Sequence, residues 1–516
     1  ITAAALRLAT AVRASEPAAL SAESFLRHYG LTTREGVALM CVAEALLRIP
    51  DSETADALLR EKLSEAAWGQ GVDDTWAASA ADWALMLTGT LARWHDAGDE
   101  LGQLKRLATR LGEPVVRTAV RHAMRILAGQ FVIGETIEEA VAHGRTLAGY
   151  RYSYDMLGEA ARTAEDAARY FDAYAHAIRT TPAKDAVSVK LSALHPRFEE
   201  AQRARVFSEL LPKVAELARL GLERDVGITI DAEESERLEL TLDLFDHLSA
   251  RCSLGLAVQA YQKRSLAVCD WLIGLRRTMS VRLVKGAYWD GEIKRAQQLG
   301  MPDYPVFTRK AATDVSYVAC ATRLLSAPLM LYPAFATHNC RTVATILELA
   351  GDRPFEFQKL FGMGDALYQT LKRDHGVHCR VYAPVGSFTD LLPYLVRRLL
   401  ENGANTSFVH QIADPEVPLE MLVADSVAAL PEPYQPDARI PLPRYLYPDR
   451  LNALGVDLAR RDVLDTFQQR ISADLRDPLQ PLPVTSVEAA VLGAVRAFDA
   501  WSHVPAAERA ATLERA

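Results

Sequence analysis

The sequence predicts an α/β chain built as a (βα)8, TIM-like barrel preceded by an all-helical N-terminal region. Three observations carry this. Short β-rich runs alternate with helical stretches through the middle of the chain, polar residues collect at one end of those runs, and the first part of the chain shows helical spacing alone. At 516 residues and 49% hydrophobic content the chain can fill large cores, enough for about two to four domains.

Residues 1 to about 145 are rich in Ala, Leu, Glu and Arg, with apolar residues at helical spacing in GVALMCVAEALLRIP and SFLRHYG. Pro50-Asp51-Ser52 reads as one helix ending and the next beginning, and Trp68, Trp76 and Trp83 suggest a small packed cluster. The region reads as a helical scaffold or an oligomerisation arm.

Strands are then expected at 151–157 (RYSYDML), 187–194 (VSVKLSAL), 227–234 (GITIDAEE) and 255–261 (GLAVQAY). The series continues at 280–288 (SVRLVKGAY), 333–339 (PAFATHN), 356–363 (EFQKLFGM) and 379–386 (CRVYAPVG). TSFVHQI (406–412) is a ninth candidate, so periodicity alone leaves the strand register open. The runs start apolar and end in Lys190, Asp231, Gln259, Lys285, His338 or Tyr382. In a barrel such ends gather at one mouth, where active sites are built. Residues 413 to about 480 carry many prolines, too many for long internal helices, and helical spacing returns from Ser486 to Ala516.

The net charge is −8 and the pI about 5.9, with no block of Lys and Arg, so nucleic acid is not expected as a partner. Six cysteines without CxxC spacing argue against a zinc cluster or a disulfide framework and fit a reducing, cytoplasmic setting. No apolar run is long enough to span a bilayer, although surface contact stays open. The chain opens on Ile1 and stops inside a helical pattern at LERA, so both ends read as trimmed.

Three constellations carry chemistry. TDLLPYLVRRLLENG places Tyr394, Arg397, Arg398 and Glu401 on one helical face, and Asn402-Gly403 supplies the stop. A solvated face with an Arg397–Glu401 pair explains that pattern as well as an anion site does. Position favours the anion: the helix follows the last expected strand, where two guanidiniums can meet a small carboxylate. RLVKGAYW sets Arg282 and Lys285 at a strand end beside Gly286, Tyr288 and Trp289. That group is a charged loop over an aromatic core, or a seat for a dinucleotide such as FAD. GxGxxG is absent at a strand-to-helix turn, so a Rossmann site is not supported. VKLSALHP puts Lys190 on alternate spacing from Ser188 and Ser192, with Asp231 as the nearby countercharge; Lys190 suits a Schiff-base nucleophile or a carboxylate ligand. Glu233 and Glu234 read as ordinary loop or helix-start carboxylates, and His338 as a hydrogen-bonded structural residue as readily as a catalyst.

The runs YSYDMLGEA, VKLSALHP, TIDAEE, VQAYQKR, RLVKGAYWD, VFTRKAATDVSYVACA, FATHN, FGMGDALY, VYAPVG and YLVRRLLENGANTSFV together resemble the proline dehydrogenase family. The likeness is to the flavin-binding domain of bifunctional proline utilization A, in order across about residues 145 to 412. It implies a helical arm (1–67), an α-domain (68–145), an FAD-binding barrel (146–412) and a proline-rich linker (413–483). Residues 484–516 resemble the start of an aldehyde dehydrogenase domain, cut before its nucleotide-binding fold and catalytic residues, so no second activity is expected. No ribbon-helix-helix DNA-binding segment is visible.

The resemblance further implies oxidation of L-proline to Δ1-pyrroline-5-carboxylate, with electrons passed through FAD to a membrane quinone by a cytoplasmic, peripherally membrane-associated enzyme, and it leaves a homo-oligomer open. By motif, Arg397, Arg398 and Lys190 would hold the proline carboxylate, and Tyr288, Leu360, Tyr382 and Tyr394 would wall the ring. Tyr382 would also narrow the pocket against hydroxyproline. Asp231 would order the basic cluster, and Arg282 would sit near flavin N5. Gln259 and Lys285 would lie by the cofactor, with Gly286, Ala287 and Trp289 along its adenosine part; Thr337, His338 and Glu401 would give supporting contacts. The rival readings are a lysine Schiff-base barrel using Lys190 or Lys285, and a non-catalytic scaffold.

Overall fold

Eight parallel strands close on themselves in sequence order. They are β1 (Arg151–Met156), β2 (Ala186–Val189), β3 (Gly227–Ile230), β4 (Leu254–Gln259), β5 (Met279–Val284), β6 (Leu331–Ala336), β7 (Glu356–Leu360) and β8 (Cys379–Val385). The computed structural model describes residues 1–15, 54, 131–147, 149–156, 158, 160–387, 408–413, 416–474 and 486–515. Closure shows in the register of β1, where Ser153 faces Ala186 of β2 on one side and Tyr382 of β8 on the other.

Among the described residues, α1 (Thr2–Ala14) and α2 (Ile137–Thr146) precede β1. The crossovers carry α3 (Ala164–Thr180), α4 (Leu191–Leu194), α5 (Arg203–Glu209), α6 (Leu211–Arg224), α7 (Leu238–Ser249), α8 (Ser265–Gly274), α9 (Trp289–Gln298), α10 (Lys310–Leu325), α11 (Cys340–Ala350) and α12 (Asp365–His375). After the barrel come α13 (Phe408–Ala413) and α14 (Leu419–Leu422). The boundaries have local causes. Thr163 and Asp166 form a reciprocal capping box at the start of α3, and Asp225 ends α6 in the left-handed region at φ 53°. Asn339 caps α11 by accepting from the Thr342 N–H.

The core lies between the barrel's outer face and its helices. Tyr152 and Tyr154 of β1 point outward and stack at 5.7 Å, whereas Ser153 and Asp155, on the alternate positions, share the barrel's inner face. Helix α1 buries Ala5, Leu8 and Ala9 against α11 and α12, and Arg13 donates to the Ile412 carbonyl of α13 at 3.1 Å.

Four expectations are corrected. The run 187–194 is strand only to Val189; Leu191–Leu194 is a turn of helix, because the chain leaves the ladder at the barrel mouth. The tails of the runs after β3 to β7 likewise become loops at that mouth. The ninth candidate is no strand: Phe408–Ala413 is helical, since a short apolar run carries no period that separates the two states. Within the proline-rich stretch, the proline-free Arg461–Asp474 forms a 14-residue helix, α15. The expected Trp68/Trp76/Trp83 cluster and the helix read over TDLLPYLVRRLLENG (389–403) lie outside the described residues.

The described residues divide into two units, Ile1–Arg460 and Arg461–Ala516. The second contains α15, α16 (Val487–Ser502) and α17 (Ala506–Arg515). In the first, much of what reads as a linker is a strap tied to the end of α9 and the loop that follows it. Tyr304 donates to the Pro441 carbonyl at 2.6 Å, Arg309 to the Gln435 carbonyl at 2.6 Å, and Asn452 to the Gln297 carbonyl at 3.2 Å. Gly300, at φ +59°, comes so close that a Cβ there would lie 2.0 Å from the Ala453 carbonyl oxygen. Ile440 packs on the buried cluster of Tyr261, Ile293, Met301, Tyr304 and Val306.

Candidate active site

Alternation within each strand aims Ser153 and Asp155 (β1), Ser188 (β2), Arg282 (β5) and Tyr382 (β8) into the barrel, and Lys190 and Asp231 follow where β2 and β3 end. They form one hydrogen-bonded network. Lys190 Nζ donates to Asp155 Oδ1 at 2.5 Å and lies 3.6 Å from Asp231 Oδ2. Arg282 donates to Asp231 Oδ1 at 2.6 Å, to Ser153 at 3.1 Å and to Ser188 at 3.0 Å. The Tyr382 hydroxyl donates to Asp231 Oδ2 at 2.7 Å, and the Arg282 guanidinium sits 5.1 Å from the centre of the Tyr382 ring. Two buried cations thus face two buried carboxylates, a balance without which such burial would be prohibitive.

Burial, with Asp231 nearby, pushes the Asp155 carboxyl up while Lys190 pulls it down; the 2.5 Å contact keeps the two as an ammonium–carboxylate pair. Burial pushes Lys190 down, but Asp155, Tyr382 and Asp231 outweigh it and hold the ammonium well above its ordinary range. Burial, with the two aspartates beside it, also holds Tyr382 as the neutral phenol. The Lys190 backbone N–H donates to the Tyr174 hydroxyl at 3.1 Å, which fixes the chain where β2 ends.

Around the network the mouth is braced. Gln259 donates to the Glu233 carbonyl at 2.8 Å and accepts from the Ala287 N–H at 3.3 Å, joining the loops after β3 and β5. His338 Nε2 accepts from the Leu360 N–H at 3.3 Å, and Leu360 lies beside Tyr382 in the register of β7 and β8. The Thr337 carbonyl accepts from Tyr368, and its hydroxyl from the Asn339 N–H. Trp289 opens α9 and donates its indole N–H to the Phe307 carbonyl at 2.9 Å. Lys285 and Lys310 both bond Asp314. Gly286, at φ +142°, meets the Tyr261 ring: a Cβ would sit 2.4 Å from it. The close approach that this glycine permits is therefore to a side chain of the protein itself.

The structure thus joins Lys190, Asp231, Arg282 and Tyr382 directly and ranges Gln259, Lys285, Gly286, Ala287, Tyr288, Trp289, Thr337, His338 and Leu360 about the same strand ends. Tyr394, Arg397, Arg398 and Glu401 lie outside the described residues. The sequence reading missed Asp155, which is closer to Lys190 than the expected countercharge Asp231. Its signal was there: Ser153 and Asp155 alternate in a parallel strand, whose residues are normally apolar on both faces. It also missed Tyr174 and Lys310. Glu233 is not an ordinary loop carboxylate: it is buried, accepts from the Ser192 N–H at 3.1 Å and pairs with Arg237 at 3.0 Å. Ser192 stands in α4, out of alternation with Lys190, and accepts from the Ala160 N–H. Among the described residues no group of His, Cys, Asp and Glu could hold a metal ion.

The family model described as proline dehydrogenase matches residues 139–411. A second, described as the DNA-binding domain of proline dehydrogenase, matches residues 21–131, which runs against the expectation that nucleic acid is not a partner. The chain is 44% identical to the bifunctional protein PutA of Salmonella typhimurium over 96% of its own length and 43% of that protein's. It is 29% identical to proline dehydrogenase of Deinococcus radiodurans over 60% of this chain and 96% of the other. A crystal structure of bifunctional proline utilization A superposes with a TM-score of 0.73 at 46% identity, covering 99% of this chain and 54% of that one. The chain therefore spans about half the length of the PutA proteins it matches, 43% of one and 54% of the other. With its closed barrel and the family match running from α2 through α13, the chain belongs to the proline dehydrogenase family.

Proposed function

We propose that this chain oxidises L-proline to Δ1-pyrroline-5-carboxylate with FAD as the first electron acceptor and a membrane quinone as the second. The observation that carries the reading is the charge-balanced network of Lys190, Asp155, Asp231, Arg282 and Tyr382 at the barrel mouth. It keeps a fixed ammonium ready for a carboxylate and a neutral phenol beside it. The residues present fit a flavin. Arg282 Nε is buried without a protein acceptor, and two ammonium groups, Lys285 and Lys310, gather at Asp314, a setting that suits a pyrophosphate. Arg282, Gln259 and Lys285 would hold the flavin, with Gly286, Ala287 and Trp289 along its adenosine part and Thr337, His338 and Glu401 in support. When bound, FAD supplies a two-electron acceptor for hydride.

The protein's own part is orientation and electrostatics. Lys190, with Arg397 and Arg398, binds the proline carboxylate. Tyr288, Leu360, Tyr382 and Tyr394 wall the ring so that C5 is held for hydride departure, and His338 fixes Leu360 through its backbone N–H. As the C5–H bond breaks, the amine lone pair forms the imine and the amine proton is lost. Asp231 holds Arg282, Tyr382 and Lys190 in one geometry, so the site needs little rearrangement during the reaction. Quinone reduction calls for a peripheral contact with the membrane from the cytoplasmic side; among the described residues no helix is long and apolar enough to cross it.

A lysine Schiff-base barrel fits less well. Its nucleophile must lose a proton, and Lys190 is held firmly protonated by its carboxylates. A non-catalytic scaffold has no use for so much buried charge. The test is an absorbance spectrum of the purified protein before and after anaerobic L-proline. Flavin bands that bleach with proline support the reading; a flavin that stays oxidised moves the substrate elsewhere, and a protein that cannot be loaded with FAD overturns it.

A further inference from the structure

We infer that Asp155 is a positioning residue for substrate binding, acting through Lys190 to hold its ammonium charged and aimed at the ligand carboxylate. The inference deepens the proposed function and rests on it. Asp155 is 1% exposed, on the inner face of β1, and its bond to Lys190 at 2.5 Å is the shortest in the network. An unbalanced buried carboxylate is costly enough that it persists only with a partner.

Among the described residues the groups facing Lys190 are Asp155 from β1, Asp231 from the end of β3, Tyr382 from β8 and Tyr174 from α3, with Arg282 of β5 joined through Asp231. Asp231 is already engaged by Arg282 and by the Tyr382 hydroxyl, and stands 3.6 Å from Nζ. Asp155 is therefore the carboxylate chiefly responsible for offsetting the burial that drives Lys190 toward its neutral form. An ammonium has three donors. With one fixed on Asp155 and one turned toward Asp231, the third is left for a ligand, in a direction the long lysine side chain could not otherwise keep. Without Asp155 the same burial acts on Lys190 unopposed from that side, and its proton is lost at lower pH.

The experiment uses the FAD-loaded protein and a ligand that does not itself titrate in the alkaline range, tetrahydrofuran-2-carboxylate, whose ring oxygen replaces the amine. Its Kd is read from the flavin spectrum across neutral to alkaline pH for wild type, Asp155→Asn, Lys190→Met and the double variant. The wild-type Kd should stay flat over a range in which that of D155N climbs by up to tenfold per pH unit. In the K190M background the Asp155 substitution should change neither Kd nor its pH dependence. A D155N profile parallel to wild type, or a further loss in the double variant, overturns the inference. If D155N alone does not fold, Asp155→Glu keeps the charge but misplaces it, and a Kd and pH profile for that variant matching wild type overturns the inference. Failure of wild type to be reduced by L-proline would instead count against the proposed function itself.

Discussion

The Tyr382 hydroxyl donates to Asp231 Oδ2 at 2.7 Å while Arg282 donates to the other oxygen of the same carboxylate, so β8, β3 and β5 are tied at one point of the barrel mouth. Tyr382→Phe removes one of these bonds and leaves Asp231 held by Arg282 and near Lys190. It should cost about 1 kcal/mol of stability, the scale of one net hydrogen bond, seen as a modest drop in the denaturation midpoint with flavin content retained. Loss of flavin from this variant would mean that the phenol does more than anchor Asp231.

Asp231→Ala acts on all three partners together. It leaves the buried Arg282 and Lys190 charges with only one carboxylate between them, and should cost about 3 to 5 kcal/mol. We expect a destabilised protein that loses FAD on dilution, measured by flavin fluorescence. A variant as stable as wild type would show that the network is not balanced as described.

Asp314 sets the acid side of stability. Burial pushes its carboxyl up, but Lys285 and Lys310 outweigh that and hold it below the ordinary range. A depressed folded-state value stabilises above the unfolded value and is lost as pH falls through the folded one. The Tm gap between wild type and Asp314→Asn should therefore be full at neutral pH and close below about pH 4. A gap unchanged in acid would remove the ion pairs as its cause.

Gly286→Ala meets two obstacles, a backbone at φ +142° and a Cβ 2.4 Å from the Tyr261 ring. Strained backbone of this kind costs on the order of 1 to 3 kcal/mol, so thermal unfolding should shift down by several degrees. An unshifted midpoint would mean that the loop after β5 relaxes freely.

Arg398→Met addresses the helix face that the sequence singles out. Losing one charged hydrogen bond costs about 1.5 to 3 kcal/mol, which should raise the KM for proline by about ten- to a hundredfold with FAD still bound. Unchanged kinetics would take that arginine out of carboxylate binding.

The strands were legible because most are short apolar runs closed by a polar residue, and Lys190 and Asp231 stand just past the ends of β2 and β3; Tyr382 lies in the middle of β8 and reaches the network by pointing inward. Strand ends were less legible. Leu191–Leu194 is as apolar as the strand before it, and only tertiary context makes it helical. Asp155 was legible in part, since Ser153 and Asp155 alternate with Tyr152 and Tyr154; that its carboxylate is paired depends on Lys190, distant in sequence. The roles of Gln259 and His338 as braces were hidden for a similar reason, since their partners are backbone groups, which a sequence does not distinguish.

The strap also bears on how the molecule is made. Its Asn452 bonds a carbonyl in α9 that lies 155 residues earlier in the chain. At the usual rate of synthesis those residues take on the order of ten seconds or more to emerge. During that time the fifth strand-and-helix unit, with Met301, Tyr304 and Val306, waits without its cover. A nascent chain halted after β8 but before the strap has all eight strands, yet should still expose that apolar cluster to chaperones.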